Sequence, residues 1–445
     1  MQVDTVLFNA KLYTPTGIVE AGLAIDKARI VKIAKETNLP SALNRINIEG
    51  KLIIPGLIDS HVHLRDEEVA YREDFTTGTV AAAAGGVTTV IDMPNNRPVT
   101  MNAGTLQKRM KLAEKRVFVN VAFNSAFPSE KNEIHDIVGH GAVGFKLYLL
   151  QQIGGADIDN DESLQGYFNE IAKEKIPICV HAEDKAILEK AKEKMQEAGR
   201  NDAEAFLKAH PATAEIHSIQ RVARLARDSG AHIHICHISS EAGLNAVAKA
   251  KKENANLTCE VTPHHLLLSS DSVKEQGNIA LMLPPLRLKR DVNALWKAIQ
   301  KGEIDTVASD HAPHSFEEKN AKSIWDIKPG IAGLETMLPL MLDEVNHGRL
   351  TINQLIRLTV EKPAEIFHLK NCGSISTGNM ADLTVVDLKR EYKIDASRFY
   401  SKAKFSPFDC WKVKGKVIRT FVNGQLVMDE GEIIAKPGMG RIIRG

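Results

Sequence analysis

The sequence has few cysteines, no long apolar run and no excess of charge of either sign. Its five cysteines, in 445 residues, show no CxxC pair and no spacing typical of a disulfide framework. No apolar run approaches the length of about 20 residues that a helix needs to cross a bilayer. Lysine and arginine total 57 against 56 aspartate and glutamate, which gives no reason to expect nucleic acid or an anionic membrane as a partner. The composition indicates a globular protein of the cytoplasm.

Both ends of the chain carry short strand-like segments and differ from the middle. Strands are predicted over 3–12, 20–34, 45–54, 381–387 and 416–434. Asn423-Gly424 is typical of a hairpin turn between two of them. Neither end is large enough to form a stable core alone. We therefore expect residues 1–52 and 371–445 to pair into one composite β-sandwich domain.

The middle of the chain, residues 53–370, alternates apolar strand-like runs with amphipathic helical stretches. Strands are predicted over 52–63, 87–93, 117–123, 142–149, 176–182, 231–238, 257–262 and 304–310. Helices are predicted over 73–85, 101–115, 184–198, 213–229 and 240–253. Eight strand–helix units indicate an α/β fold, a (β/α)8 TIM-like barrel with insertions. A doubly wound open sheet is the alternative, but no glycine-rich dinucleotide loop follows the first strand.

Two histidines, His61 and His63, end the first strand of this region. Residues two apart in a strand point to the same side, so the two imidazoles can bind one metal ion. Histidine pairs of this spacing also occur as ordinary core or surface residues. Whether these two bind a metal therefore depends on the residues at the ends of the other strands. In a (β/α)8 barrel the active site lies at the carboxyl ends of the strands. Ligand-type residues fall there in nearly every unit, namely Asn95, Lys146, His181, His237, His264, His265, Asp310 and His314.

Some of these polar residues have interpretations that involve no chemistry. His232 and His234 lie on the opposite strand face from His237, and we expect them to pack under the helices. Lys146 lies in an apolar strand, where a buried ammonium is costly unless it is paired. Its side chain can instead extend to the barrel mouth and keep the charge in water.

Ten segments together resemble the dihydroorotases, a branch of the cyclic amidohydrolases in the amidohydrolase superfamily. The resemblance runs from about residue 4 to residue 434. Its motifs are Pro55-Gly-Leu-Ile-Asp-Ser-His-Val-His-Leu-Arg65, Met93-Pro-Asn-Asn96, Gly144-Phe-Lys146, His181-Ala-Glu183, His237-Ile-Ser239, Thr262-Pro-His-His-Leu266, Pro284-Pro-Leu-Arg287, Ser309-Asp-His-Ala-Pro-His314, Gly333-Leu-Glu-Thr-Met-Leu-Pro339 and Gly378-Asn-Met-Ala-Asp382. The segments around His61 and Asp310 are the most specific for dihydroorotases.

The resemblance implies a centre of two zinc ions in each chain. His61, His63 and Asp310 would bind one Zn²⁺, and His181 and His237 the second. Lys146 occupies the position of the family's N6-carboxylated lysine, which bridges both ions together with a hydroxide. Asp310 would be the catalytic residue that accepts a proton and then returns it to the leaving ring nitrogen.

The resemblance also implies a small-molecule substrate with a carboxylate. Arg65, Asn95 and His314 would hold that carboxylate, and Arg287, Ala312 and Gly333 would approach the ring. Two departures from the family bear on these contacts. Asp66-Glu67-Glu68 follows Arg65 where many relatives have Pro-Gly, and Leu283 stands where many have asparagine.

The implied activity is the reversible hydrolysis of dihydroorotate to N-carbamoyl-aspartate, a step of de novo pyrimidine synthesis. The same fold and metals serve allantoinases and dihydropyrimidinases or hydantoinases, which remain alternatives. A non-catalytic scaffold that assembles with aspartate transcarbamoylase is a third possibility, although such relatives lose metal ligands. We expect a homodimer, with the glycine-rich segment 151–156 as the loop that closes over substrate.

Overall fold

The computed structural model describes residues 2–445, and within them nineteen strands form three sheets. In chain order the strands are β1 (Val3–Phe8), β2 (Lys11–Thr14), β3 (Gly17–Glu20), β4 (Gly22–Asp26), β5 (Arg29–Ala34), β6 (Ala42–Asn47), β7 (Leu52–Pro55), β8 (Leu57–Val62), β9 (Val87–Asp92), β10 (Asn120–Ala126), β11 (Gly144–Tyr148), β12 (Ile178–His181), β13 (Ile233–Ile235), β14 (Leu257–Val261), β15 (Thr306–Val307), β16 (Leu383–Lys393), β17 (Lys412–Val422), β18 (Gln425–Asp429) and β19 (Glu432–Ile433).

Fifteen α-helices lie within the same described residues. They are α1 (Phe75–Ala84), α2 (Ala103–Glu114), α3 (Ile134–Gly139), α4 (Asp161–Glu174), α5 (Lys185–Glu197), α6 (Ala203–Ala209), α7 (Ala212–Ser229), α8 (Glu241–Lys252), α9 (Pro263–Leu267), α10 (Ser270–Gln276), α11 (Lys289–Lys301), α12 (Phe316–Lys319), α13 (Met337–Asn346), α14 (Ile352–Ile356) and α15 (Lys362–Ile366). The last two are joined by the π-helical turn Arg357–Glu361. Across residues 2–445, no helix combines the length and apolar character needed to cross a membrane.

Strands β8 to β15 form the predicted barrel. Each pairs in parallel with the next along the chain, in the order β8 to β15. The first and last strands meet where His63 N donates to His311 O at 2.9 Å and Val62 bridges His311 in parallel. The eight predicted strands and the (β/α)8 fold class are thereby confirmed. The helices that follow the strands cover the outside, so the carboxyl ends of all eight strands open on one face.

The apolar run at 52–63, predicted as one strand, is two strands in two different sheets. β7 pairs with β16 and β2, whereas β8 enters the barrel. Gly56 lies at the break, and a side chain there would come within 2.2 Å of Thr88. Only glycine allows the backbone to pass this close as the chain leaves one sheet for the other.

The remaining strands form two sheets that combine both chain ends. One has the order β5-β4-β1-β6 and the other the order β19-β18-β17-β16-β7-β2-β3. Their shared core joins residues from the start of the chain, such as Leu12 and Ile25, with residues near its end, such as Val385 and Phe421. This shared core supports our proposal that the two ends form one β-sandwich domain beside the barrel.

Candidate metal centre and substrate cavity

Six residues at the barrel's carboxyl face converge on one buried cluster. They are His61 from β8 and His63 just beyond it, Lys146 from β11, His181 from β12, His237 beyond β13 and Asp310 beyond β15. The imidazole centroids of His61 and His63 are 5.3 Å apart, and those of His181 and His237 are 4.5 Å apart. All six side chains are buried. The structure therefore brings together every residue that the sequence had assigned to metal binding.

His61, His63 and Asp310 form the first half of the cluster. Their ligand atoms lie within 4.8 Å of one another, with Asp310 Oδ1 3.2 Å from His63 Nε2 and 3.4 Å from His61 Nε2. The opposite ring nitrogen of each histidine is already held. His61 Nδ1 bonds Glu260 at 2.5 Å and His63 Nδ1 bonds Asn95 Oδ1 at 2.7 Å. Both Nε2 atoms are thus oriented as metal ligands, in the manner typical of zinc sites.

His181 and His237 form the second half. Glu183 bonds His181 Nε2 at 2.8 Å, which leaves the Nδ1 atom of that ring for another partner. His237 Nδ1 is buried and has no hydrogen-bond partner among the described residues. An unpaired buried nitrogen costs free energy, and a metal ion between these two rings would remove that cost. The donor set therefore fits a second zinc ion.

Lys146 is buried beside His61 and does not extend to the barrel mouth. Its Nζ atom is 3.3 Å from His61 Nε2 and 2.9 Å from Cys236 Sγ, and the side chain is 1% exposed. An ammonium at this position would repel any cation held by the histidines. A metal pair therefore requires Lys146 to lose its positive charge, which carboxylation of the amine would achieve.

Glu260, on β14, is a functional residue that the sequence reasoning missed. Besides His61, its carboxylate accepts from the backbone N of His237 at 3.2 Å and bonds His234 Nε2 at 3.2 Å. Although burial acts to raise the pKa of Glu260, its pairing with His61 and His234 holds that pKa below the usual range. Glu260 therefore orients ligands from both halves of the cluster. Its alternation with Thr258 along β14 was the available sequence signal.

The expectation that His234 packs under the helices is wrong. His234 pairs in register with Cys179, and Cys179 pairs in register with Lys146, so all three side chains share the inner face of the barrel. The argument from alternation failed because β13 ends at Ile235. His237 lies beyond that end with φ +35°, where the two-residue period of a strand no longer applies.

A cavity of about 570 Å³ opens above this cluster. It is lined by Arg65, Asn95, Ala312 and His314 as the sequence predicted, and also by Asp310, Tyr148, Leu283 and residues 151–154 and 327–330. A groove of about 1210 Å³ lies elsewhere, on the outer sheets, and contains none of the six clustered residues. The smaller cavity is therefore the candidate substrate site, because it alone of the two adjoins the clustered residues.

Arg287 and Gly333 do not line this cavity. Arg287 Nε donates to Ser239 Oγ at 3.0 Å and Nη1 donates to the backbone carbonyl of His210 at 2.5 Å. Gly333 N donates to His311 Nδ1 at 3.2 Å, behind the cavity wall. The predicted ring contacts of Arg287 and Gly333 are therefore not among the cavity contacts seen.

Tyr148 adds a polar group that the sequence reasoning did not assign. It lines the cavity two residues after Lys146, on the same face of β11. Its hydroxyl is buried and has no hydrogen-bond partner among residues 2–445. Its ring stacks on His181, with centroids 6.3 Å apart. The hydroxyl is thus a donor available to a molecule in the cavity.

Arg65 is a buried cation with unused hydrogen-bonding capacity. Its Nη2 atom lies 3.5 Å from His314 Nε2, while the buried Nε atom has no partner among the described residues. Burial and the neighbouring Arg72 lower the pKa of Arg65 to about 10, so it remains charged at neutral pH. Asn95 lies close by with its carbonyl oxygen engaged by His63. These groups together can accept a planar anion.

The acidic segment after Arg65 is turned away from the cavity. Asp66 Oδ2 accepts from Phe75 N at 2.9 Å at the start of α1 and pairs with Arg116 at 2.8 Å. Glu67 pairs with Asn96 at 2.7 Å and with Arg109 at 3.2 Å. Asp310 is thus the one carboxylate among the cavity's described lining residues, against four cations, Arg65, Arg72, Arg97 and Lys328, of which Arg72 is paired with Glu318.

Comparison with known proteins agrees with this site. Residues 52–427 match the model of the amidohydrolase family. The chain is 33% identical to an L-hydantoinase of Paenarthrobacter aurescens, over 99% of this chain and 98% of that one. It is 36% identical to a dihydroorotase of Pyrococcus furiosus, over 99% and 96%.

One solved structure covers this fold from end to end. The L-hydantoinase (dihydropyrimidinase) from Arthrobacter aurescens superposes with a TM-score of 0.95 at 33% identity, covering all of both chains. The full-length relatives act on rings of different kinds, so they establish the branch of enzymes and leave the ring open. The chain belongs to the amidohydrolase family, among the hydrolases of cyclic amides.

Proposed function

We propose that this protein is a dihydroorotase, which interconverts dihydroorotate and N-carbamoyl-aspartate. The observation that carries the proposal is the buried, charged Arg65 guanidinium, which lines the cavity with an unpartnered Nε atom. Such a cation is stabilised by a substrate carboxylate and gains nothing from a neutral ring such as hydantoin. The excess of cations around the cavity supports the same choice.

We propose that two Zn²⁺ ions occupy the cluster, one held by His61, His63 and Asp310 and the other by His181 and His237. Lys146, N6-carboxylated, would bridge them as a carboxylate ligand. When bound, the ions supply a Lewis acid that polarises the ring amide and lowers the pKa of the attacking water. A homodimer, a cytoplasmic location and assembly with aspartate transcarbamoylase stay predictions from the resemblance.

The chain's own residues orient the ring and move the proton. Arg65 and Asn95 hold the carboxylate. The pKa of His314 is lowered to about 4 by burial, so its imidazole is neutral near pH 7; its Nδ1–H faces Glu318, and its Nε2 accepts from Arg65 and orients the guanidinium. Asp310, which also lines the cavity, accepts the proton of the attacking water and donates it to the leaving ring nitrogen. Glu260 and Glu183 keep the histidines in fixed orientations during this exchange.

The proposal predicts a strong preference for the ring that bears a carboxylate. We expect the zinc-loaded protein to hydrolyse dihydroorotate with a kcat/KM at least ~100-fold above those for dihydrouracil, hydantoin and allantoin, because only dihydroorotate uses Arg65. The measurement is the initial rate on each ring, with ring closure of N-carbamoyl-aspartate as the reverse assay. A higher kcat/KM for a neutral ring would contradict the proposal and favour a hydantoinase or allantoinase.

The metal centre gives a second prediction. We expect two zinc ions per chain by elemental analysis, because both sets of ligands are complete. The variant Lys146→Gln should hold one ion or none, since it cannot supply a carboxylate to both. Lys131→Gln changes an exposed lysine in the same way and should keep both ions. A wild-type protein with no bound metal after zinc loading would instead favour the non-catalytic scaffold.

A further inference from the structure

Lys319 is a fully buried lysine that the proposed reaction does not use. It is the last residue of α12, and its side chain is 0% exposed. Its Nζ atom donates to Leu281 O at 2.8 Å and to Gly330 O at 2.9 Å. Both partners are neutral backbone carbonyls. Burial lowers the pKa of Lys319 to about 7, with no neighbouring charge acting against that shift.

A lysine in this position is a poor choice for stability alone. Removing an ammonium from water costs several kcal/mol, and a carboxylate partner normally offsets that cost. Leu281 O also accepts a hydrogen bond from Gly330 N at 2.9 Å, whereas Gly330 O accepts from Lys319. The ammonium thus fixes two neutral carbonyls relative to each other, without a charge partner that would offset its burial.

The two carbonyls belong to segments that form one wall of the substrate cavity. Gly330 ends the strap, which we define as residues 327–330, and all four of its residues line the cavity. Leu281 lies two residues before Leu283, another lining residue. Lys319 is thus the point where α12, the strap and the segment before Leu283 are joined.

The strap lies directly against two other residues that line the cavity, Ala312 and His314. At Gly330 a Cβ atom would come within 2.3 Å of Ala312 O and 3.0 Å of the His314 ring, so the backbone there touches both. Ala312 N donates to Ile331 O at 2.9 Å just after the strap. A small outward movement of the strap would widen the cavity beside His314 and leave the six clustered residues unchanged.

We propose that Lys319 is a positioning residue that sets the width of the substrate cavity by tying the strap to the segment before Leu283. It touches neither substrate nor metal and acts through Gly330 and Leu281. The inference goes beyond the proposed function, because it holds for whichever cyclic amide the cavity accepts. Loss of Lys319 should therefore weaken substrate binding, while the reacting groups keep their geometry.

The test is Lys319→Met, which keeps the length of the side chain and removes its donors. With the best substrate of the wild-type protein, we expect KM to rise ~10-fold to 100-fold while kcat stays within about threefold. Zinc content should not change, and Tm should stay within about 3 °C. Hydrogen exchange should accelerate in the peptide that contains the strap. Lys322→Met alters an exposed lysine in the loop between α12 and the strap, and it should change none of these quantities.

Two outcomes would overturn the proposal. One is an unchanged KM in Lys319→Met. The other is a large fall in Tm with faster exchange throughout the barrel, which would mean that Lys319 only stabilises the fold. If Lys319→Met does not fold, Lys319→Gln decides, because it retains an amide donor and should give an intermediate rise in KM. A Gln variant with wild-type KM would equally contradict the role.

Discussion

The variant Asp310→Asn is expected to lose about 10³-fold in kcat while it binds substrate with near-normal affinity. Asp310 Oδ1 lies 3.2 Å from His63 Nε2 and 3.4 Å from His61 Nε2, and the residue lines the cavity floor. Asparagine has the same shape and keeps a carbonyl oxygen for the histidine side of the cluster. It cannot accept a proton from water and deliver it to nitrogen. The chemical step therefore suffers, whereas the contacts to the carboxylate remain.

Three measurements separate proton transfer from metal loss in this variant. Zinc content should stay at the wild-type value, and the inhibition constant of a non-hydrolysed carboxylate analogue should change by less than about threefold. The third is kcat itself. Asp326→Asn, an exposed position near the strap, is the matched control and should have no effect. A kcat within tenfold of wild type in zinc-loaded Asp310→Asn would show that another group moves the proton.

The cluster of candidate metal ligands could be predicted from the sequence because a parallel barrel brings its strand ends to one face. His61, His63, His181 and Asp310 each end a strand or follow one closely, so the fold class alone places them near one another. The family resemblance then supplied the roles. Neither step required knowledge of side-chain contacts. These residues could therefore be assigned to one site from the sequence alone.

Residues that act by holding other residues in place could not be predicted from the sequence. Glu260 lies inside a strand, and its role depends on which face of β14 meets His61, a matter of barrel register. Lys319 ends α12, a helix of 4 residues after the last barrel strand, which is too short for a periodic pattern to indicate burial. The error at His234 has the same origin, because alternation cannot be extended past the end of a short strand.

Arg65 carries the second large prediction, because in the proposed function it selects the ring that bears a carboxylate. Arg65→Gln should lower kcat/KM for dihydroorotate by about 100-fold or more, the usual cost of losing one partner of a buried charge pair. Dihydrouracil has the same ring without the carboxylate, so its kcat/KM should change by less than about threefold. The quantity to compare is the ratio of the two losses, measured on one enzyme preparation.

Arg97→Gln provides the matched control, because Arg97 also lines the cavity but is exposed. A charge at the rim is screened by water and salt, so this variant should lose less than about fivefold on dihydroorotate, and less at high ionic strength. The Arg65 loss should persist in high salt, because the residue is only 6% exposed. Equal losses on both rings in Arg65→Gln would mean that Arg65 supports the cavity wall instead of binding a carboxylate. The preference for a neutral or an acidic ring would then have to come from residues such as Leu283 and Tyr148.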